Sequence, residues 1–302
     1  MIAATNAAYA LLLLLVGTLA SMAIEQLVRS RRVSVQPFAA LLRALAKSDV
    51  GHERIDRVLF LSAPALAMSA VVVSLLVIPC SRVVSSLPGP QWNVGIFFYL
   101  VVLDYLAVSL FMAGWGANQE SGTQAALMSV AQLISYVVPL GFSVTGVVMA
   151  AQTLTSAGVM NAQGHLWYVV WQPLGFCIYI ISAMAQTYRC PADLPLRSES
   201  DALVEYEGAA GAMLKLALHG IWFAAASMAV VLFLGGFQGP LLPGIVWFSL
   251  KAVVVLFLMA WLGTKFKRLS MPQVVRGAWL IMIPASIVNV IVVGVILMMV
   301  KP

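Results

Sequence analysis

Stretches of about twenty apolar residues recur from one end of this chain to the other, and no other feature narrows its fold as much. Each is long enough to cross a hydrocarbon core roughly 30 Å thick. Inside lipid every backbone N–H and C=O must be bonded within the protein, which leaves helices or a closed barrel. The two-residue alternation of a barrel strand is absent, so the stretches predict helices. The spans fall at about 7–27, 58–79, 94–116, 127–150, 167–186, 212–235, 245–262 and 278–300. Charge agrees: 9% of the 302 residues are charged, whereas soluble chains carry roughly 25%. The expected fold class is an all-α integral membrane protein, with about eight transmembrane helices in a single membrane domain covering 1–302. The first stretch lacks a basic leader and a small-residue cleavage site, so it reads as a span rather than a removable signal.

The connections alternate in charge. The first, third, fifth and seventh hold thirteen of the basic residues, among them Arg29, Arg31, Arg32, Arg43, Lys47, Arg189, Arg197, Lys265, Lys267, Arg268 and Arg276. Arg82 and Lys301 fall on the opposite side. Basic loops stay in the cytoplasm during insertion, so both termini are expected on the far side of a prokaryotic inner membrane. Within the first connection, 28–57, Phe38, Leu41, Leu42 and Leu45 are interspersed with Arg43 and Lys47. That spacing predicts a short amphipathic helix lying in the interface, its cations outward. The fifth connection, 187–211, carries Asp193, Glu199, Asp201, Glu205 and Glu207, five of the eleven acids. They form either a solvated loop or a docking and proton-access surface.

Some chemistries have no material here. Cys80, Cys177 and Cys190 make no CxxC, and His52, His165 and His219 are scattered. Metal, haem and iron–sulfur sites need several such ligands converging, so no metal is expected on this chain. The formal charge of +6 belongs to membrane loops and does not point to nucleic acid.

Asp104 falls in the middle of the third span, where a carboxylate costs roughly 2.5–3.5 kcal/mol to insert. Such a group is paired, protonated or in a wet cavity. Lys251, in the seventh span, is a candidate partner, and a packing ion pair and a proton relay both fit. Lys215 is close enough to the cytoplasmic end to snorkel. Gln132, Ser135 and Tyr136 share one helical face by their i, i+3, i+4 spacing, and helix–helix hydrogen bonding accounts for such residues without a function.

At this point the loops resemble a known family. Gly114–Trp115–Gly116–Ala117–Asn118, then Ala131–Gln132–Leu133–Ile134–Ser135–Tyr136 and Pro139–Leu140–Gly141, are similar to the H subunit of complex I, the bacterial form of mitochondrial subunit 1. Trp171–Gln172–Pro173–Leu174–Gly175–Phe176 and Arg189–Cys190–Pro191–Ala192–Asp193–Leu194–Pro195 followed by Glu199–Ser200–Asp201 continue the likeness. Gln36–Pro37, Asn93–Val94–Gly95, Arg268–Leu269, Gln273, Trp279 and Pro284 extend it over nearly the whole chain, in order.

The resemblance implies a membrane wall for a quinone chamber, joined to partner subunits that carry the flavin and iron–sulfur clusters, with no cofactor bound by this chain and quinone as substrate at the interface. It implies chamber residues at Gln36, Phe38, Arg43, Gln132, Tyr136, Arg189, Asp193 and Arg268. Proton coupling is expected from Asp104, Glu199, Asp201, Glu205, Glu207 and Lys251. The sequence also departs from the pattern: glutamates usual in the family are Val137, Gln186 and Leu196 here. A relay needs titratable groups or waters at each step, so coupling through this chain is expected to be altered, and Asp104 is a candidate replacement. Competing readings are the homologous subunit of a membrane-bound hydrogenase or formate-hydrogenlyase-type complex, a non-pumping anchor for a redox module, and an independent transporter. The last should show an inverted repeat, and none is visible.

Overall fold

Helices run through every predicted span in the computed structural model, which describes residues 2–30, 36–47, 55–79, 93–164, 166–197, 200–203, 205–206, 208–240 and 243–300. In chain order they are α1 (Ile2–Ser30), α2 (Gln36–Leu45), α3 (Arg57–Leu76), α4 (Gly95–Gly116), α5 (Glu120–Ala151), α6 (Ser156–Ala162), α7 (Tyr168–Trp171) and α8 (Pro173–Gln186). After them come α9 (Gly208–Phe233), α10 (Gly244–Lys265), α11 (Met271–Gly277) and α12 (Ile283–Val300). Between α8 and α9 the chain adds a small antiparallel pair, β1 (Leu196–Arg197) and β2 (Ser200–Asp201), with Leu196 opposite Asp201. Six helices among the described residues are long and apolar enough to cross a membrane; the described stretch 13–28 of α1 and α8 are shorter apolar helices. The interfacial helix expected in the first connection is α2, which packs against α9.

Two spans are less regular than hydropathy alone predicts. The stretch 167–186 is broken: α7 ends at Trp171, and α8 restarts at Pro173 with Gln172 out of helical geometry at φ −124°, ψ 50°. Proline disfavours the α region for the residue before it, so Gln172 is where the helix stops. The 14 residues of α8 then cover only ~21 Å. The last span widens into a π-helical turn at Ala278–Met282 just before Pro284. Pro284 has no N–H for the carbonyl four residues back, and a wider turn is a common way for a membrane helix to absorb that loss.

The core is built around α9. In its span window 89% of residues are buried, against 17% in the last span, so α9 is the axis and α12 a peripheral wall. Helix α9 contacts α1, α2, α3, α8 and α10, while α5 packs on α4, α8 and α12. Lipid tails are as apolar as leucine, so close van der Waals fit rather than water exclusion holds such helices together. The run Ala224, Ala225, Ala226, Ser227 and Ala229 is wholly buried and lets the surrounding helices approach the α9 backbone. Helices α4 and α5 cross closely at Gly114 and Gly122, where a Cβ on Gly114 would lie 2.3 Å from the Gly122 carbonyl oxygen. Asp56 starts α3 as its N-cap, and its own N–H donates to the Gly116 carbonyl at 2.9 Å, fastening α3 to the end of α4.

Candidate functional site

The mid-span carboxylate lies at a junction of three helices. Asp104, half-buried on α4, accepts hydrogen bonds from Gln186 Nε2 of α8 at 3.1 Å and from the Tyr136 hydroxyl of α5 at 3.3 Å. Both donors are buried. Two neutral donors offset part of the insertion cost of an anion, and the tyrosine adds a hydroxyl that can pass a proton. Tyr188, buried just beyond α8, lies within electrostatic reach of the same carboxylate. Of the positions where the resemblance places glutamate, Gln186 belongs to this junction as a donor to Asp104, while Val137 follows Tyr136 on α5 and is half-buried.

Lys251 is not part of it. Its ammonium donates to the carbonyls of Leu234 at 2.6 Å, Gly236 at 3.1 Å and Gln238 at 2.7 Å, and lies 4.2 Å from the Trp167 ring centroid. Those carbonyls belong to the turn that follows the last residue of α9, Phe233, next to a helix end where the dipole is negative and a cation is favoured. Of the two roles that the sequence left open for Lys251, an ion pair with Asp104 is not formed; α10 turns the ammonium toward the turn after α9 instead.

The other expected site residues separate into small groups. Gln132 is buried on α5, and its Nε2 donates to the Ala185 carbonyl at 2.7 Å and the Ala192 carbonyl at 2.6 Å, pinning the loop after α8. In that loop Asp193 pairs with Arg268 Nε at 3.2 Å. Asp201 accepts from the Leu203 N–H at 2.8 Å, a local turn, and Glu205 accepts from Gln119 at the start of α5. Leu196 is half-buried in β1. On α2, Phe38 is half-buried and Arg43 exposed. Gln36 opens α2, its side chain outside the described set, and Glu199 and Glu207 lie outside the described residues.

A second charged cluster joins α1, the loop after α8 and α9. Arg189, which the resemblance singles out, donates through Nη1 to Glu25 Oε2 of α1 at 2.5 Å and through Nη2 to His219 Nδ1 of α9 at 3.2 Å. Its guanidinium lies 4.3 Å from the Trp222 ring centroid. Glu25 and His219 are both well buried, their side chains only 19% and 16% exposed. The signal was present: each is an ionisable residue inside an apolar stretch, and such residues face the bundle interior. Among the described residues no three His, Cys, Asp or Glu side chains converge as a metal site.

Comparison with known proteins bears on this geometry directly. The family model described as NADH dehydrogenase matches residues 27–294. The H subunit of the NADH-quinone oxidoreductase of Anoxybacillus flavithermus is 34% identical over 85% of this chain and 79% of its own length. The corresponding protein of Geobacillus kaustophilus is 33% identical over 87% and 80%. The second H subunit of Rhizobium meliloti is 32% identical over 87% and 83%. A match of that extent, running through the spans and loops that build the Asp104 junction, places the chain in the family of NADH-quinone oxidoreductase H subunits.

Proposed function

We propose that this chain is the membrane subunit of a complex I-type NADH-quinone oxidoreductase and that Asp104 is its proton-handling carboxylate. Partner subunits bring the flavin and iron–sulfur clusters, and quinone is reduced where they meet this chain. The connections after α1, α4, α8 and α10 emerge on one face by the alternation of the spans, and they carry most of the positive charge. That face is the cytoplasmic one by the positive-inside rule and receives the peripheral arm. Arg268, exposed while it holds Asp193, and the exposed Arg43 of α2 suit such a contact.

The observation that carries the reading of Asp104 is its pair of donors. A carboxylate on α4 sits between the side chain of Gln186 and the residue preceding Val137, so an acid is retained at the junction although the two expected glutamates are replaced. Tyr136 and Gln186 hold the anion through Oδ1; protonation of Asp104 adds an O–H donor and removes the charge that strengthens both bonds, so both weaken. That exchange is the elementary step a relay requires at this point.

The assembly part is tested by purifying the tagged chain in mild detergent and identifying what accompanies it. A cluster-bearing quinone-site subunit in stoichiometric amount supports the reading, as does release of that subunit from membranes when this chain is deleted. A chain that purifies alone, with NADH-quinone reductase activity unaffected by its deletion, contradicts it.

A further inference from the structure

Hydrogen-bond chemistry in the Arg189 cluster dictates a protonation state. Arginine only donates, so the His219 Nδ1 facing Arg189 Nη2 at 3.2 Å must be the bare nitrogen of a neutral imidazole, with its hydrogen on Nε2. Nε2 lies 3.9 Å from Glu25 Oε2, the oxygen that Arg189 Nη1 also holds. Ser21 of α1 lies 3.3 Å from the same Nδ1. A proton arriving on Nδ1 takes up the lone pair that Arg189 uses and places an imidazolium beside a guanidinium. The imidazolium and the Arg189 contact therefore exclude each other.

We propose that His219 is a proton-binding site whose occupancy releases Arg189. On protonation the Nη2 contact to Nδ1 breaks, Nη1 remains on Glu25, and the imidazolium moves toward the Glu25 carboxylate. Proton count balances: one proton enters, one hydrogen bond is lost, and no other group need ionise. Among the described residues, the charged groups facing the imidazole are Glu25 from α1 and Arg189 from the loop after α8. Helix α10 brings Met259, Ala260, Gly263 and Thr264 to a cavity beside Glu25 and Arg189, none of them titratable. This cavity of about 30 Å³ lies between these elements, with Glu25, Arg189 and Cys190 in its wall. That volume admits a water beside Glu25 and Arg189, the two charged partners of the imidazole.

The consequence reaches Asp104 through the chain itself. Arg189 follows Gln186, Thr187 and Tyr188, and its N–H donates to the Met184 carbonyl at 2.9 Å. A shift of Arg189 thus acts on the end of α8 that carries the Gln186 donor to Asp104. His219 is a positioning residue, acting on the carboxylate through Arg189.

This inference rests on the proposed function for its activity arm only. Infrared spectra of complex labelled with 15N-histidine are recorded across pH, with His219→Gln as the difference reference, since the chain has three histidines. The expected result is a titrating imidazole band absent from H219Q, and a step at the same pH in quinone reductase activity that H219Q flattens. Glu25→Gln should displace both steps together, whereas Lys215→Gln, an exposed cation on the same helix, should move neither. A wild type minus H219Q difference spectrum that stays the same at every pH overturns the site. A band that titrates while the activity step persists in H219Q overturns its link to turnover. Should H219Q fail to accumulate, E25Q against wild type decides: a band unmoved by loss of the carboxylate contradicts the cluster. Complex that lacks reductase activity altogether counts against the proposed function and leaves the infrared result standing.

Discussion

Replacing Lys251 by methionine separates a helix cap from a proton relay. The ammonium spends its three hydrogens on the Leu234, Gly236 and Gln238 carbonyls, at 2.6, 3.1 and 2.7 Å, and it is 6% exposed. Hydrogen bonds to a charged group contribute roughly 1.5–3 kcal/mol each, about 5–9 kcal/mol for the set. Methionine matches the length of the stem and avoids the roughly 2.5–3.5 kcal/mol that a charge costs inside a membrane. The difference leaves a destabilisation of roughly 1.5–6.5 kcal/mol for K251M. Equilibrium unfolding of the purified protein in mixed dodecyl maltoside and SDS micelles measures it. The expected result is a clear loss of stability, with protons pumped per electron pair unchanged in the complex that survives. Unaltered stability combined with lost pumping would refute the cap and return Lys251 to the proton path.

Two further substitutions test the packing that holds the site. Gln132→Leu keeps the volume but removes both carbonyl bonds; Ala185 keeps a donor in the Tyr188 N–H at 3.1 Å, while the Ala192 carbonyl loses its tie to α5. A cost of about 2–4 kcal/mol follows, read as lower stability and faster proteolysis between α8 and α9, and equal protease resistance would contradict it. Gly114→Ala puts a methyl 2.3 Å from the Gly122 carbonyl, so α4 and α5 must separate; overpacking of this kind costs about 1–3 kcal/mol. Wild-type thermal stability in G114A would show that the crossing is looser than described.

Hydropathy made the spans legible because lipid imposes a length and a hydrogen-bonding rule on every segment. The α2 helix was legible for a related reason, since Phe38, Leu41, Leu42 and Leu45 recur at helical spacing. The break at Gln172 was written in Pro173, but a hydropathy window averages over it. Side-chain partners were harder. Asp104 and Lys251 looked complementary as the two charges deep in apolar stretches, yet which way each helix turns is set by packing around α9 and not by local sequence. The Glu25–Arg189–His219 cluster draws on α1, the loop after α8, and α9, so only the assembled bundle brings it together. Loop acids suggested a shared surface, whereas Asp201 and Glu205 are engaged in bonds to Leu203 and Gln119.

The claim on which the rest depends is that the α4 carboxylate does the work of the glutamates replaced at 137 and 186. Protons moved per electron pair, measured in inverted vesicles for Asp104→Asn and for the same variant carrying Gln186→Glu, address it most directly. D104N is expected to continue reducing quinone with a lowered proton ratio, and adding Q186E at the same junction to restore it. A D104N complex that pumps at the wild-type ratio would contradict the claim.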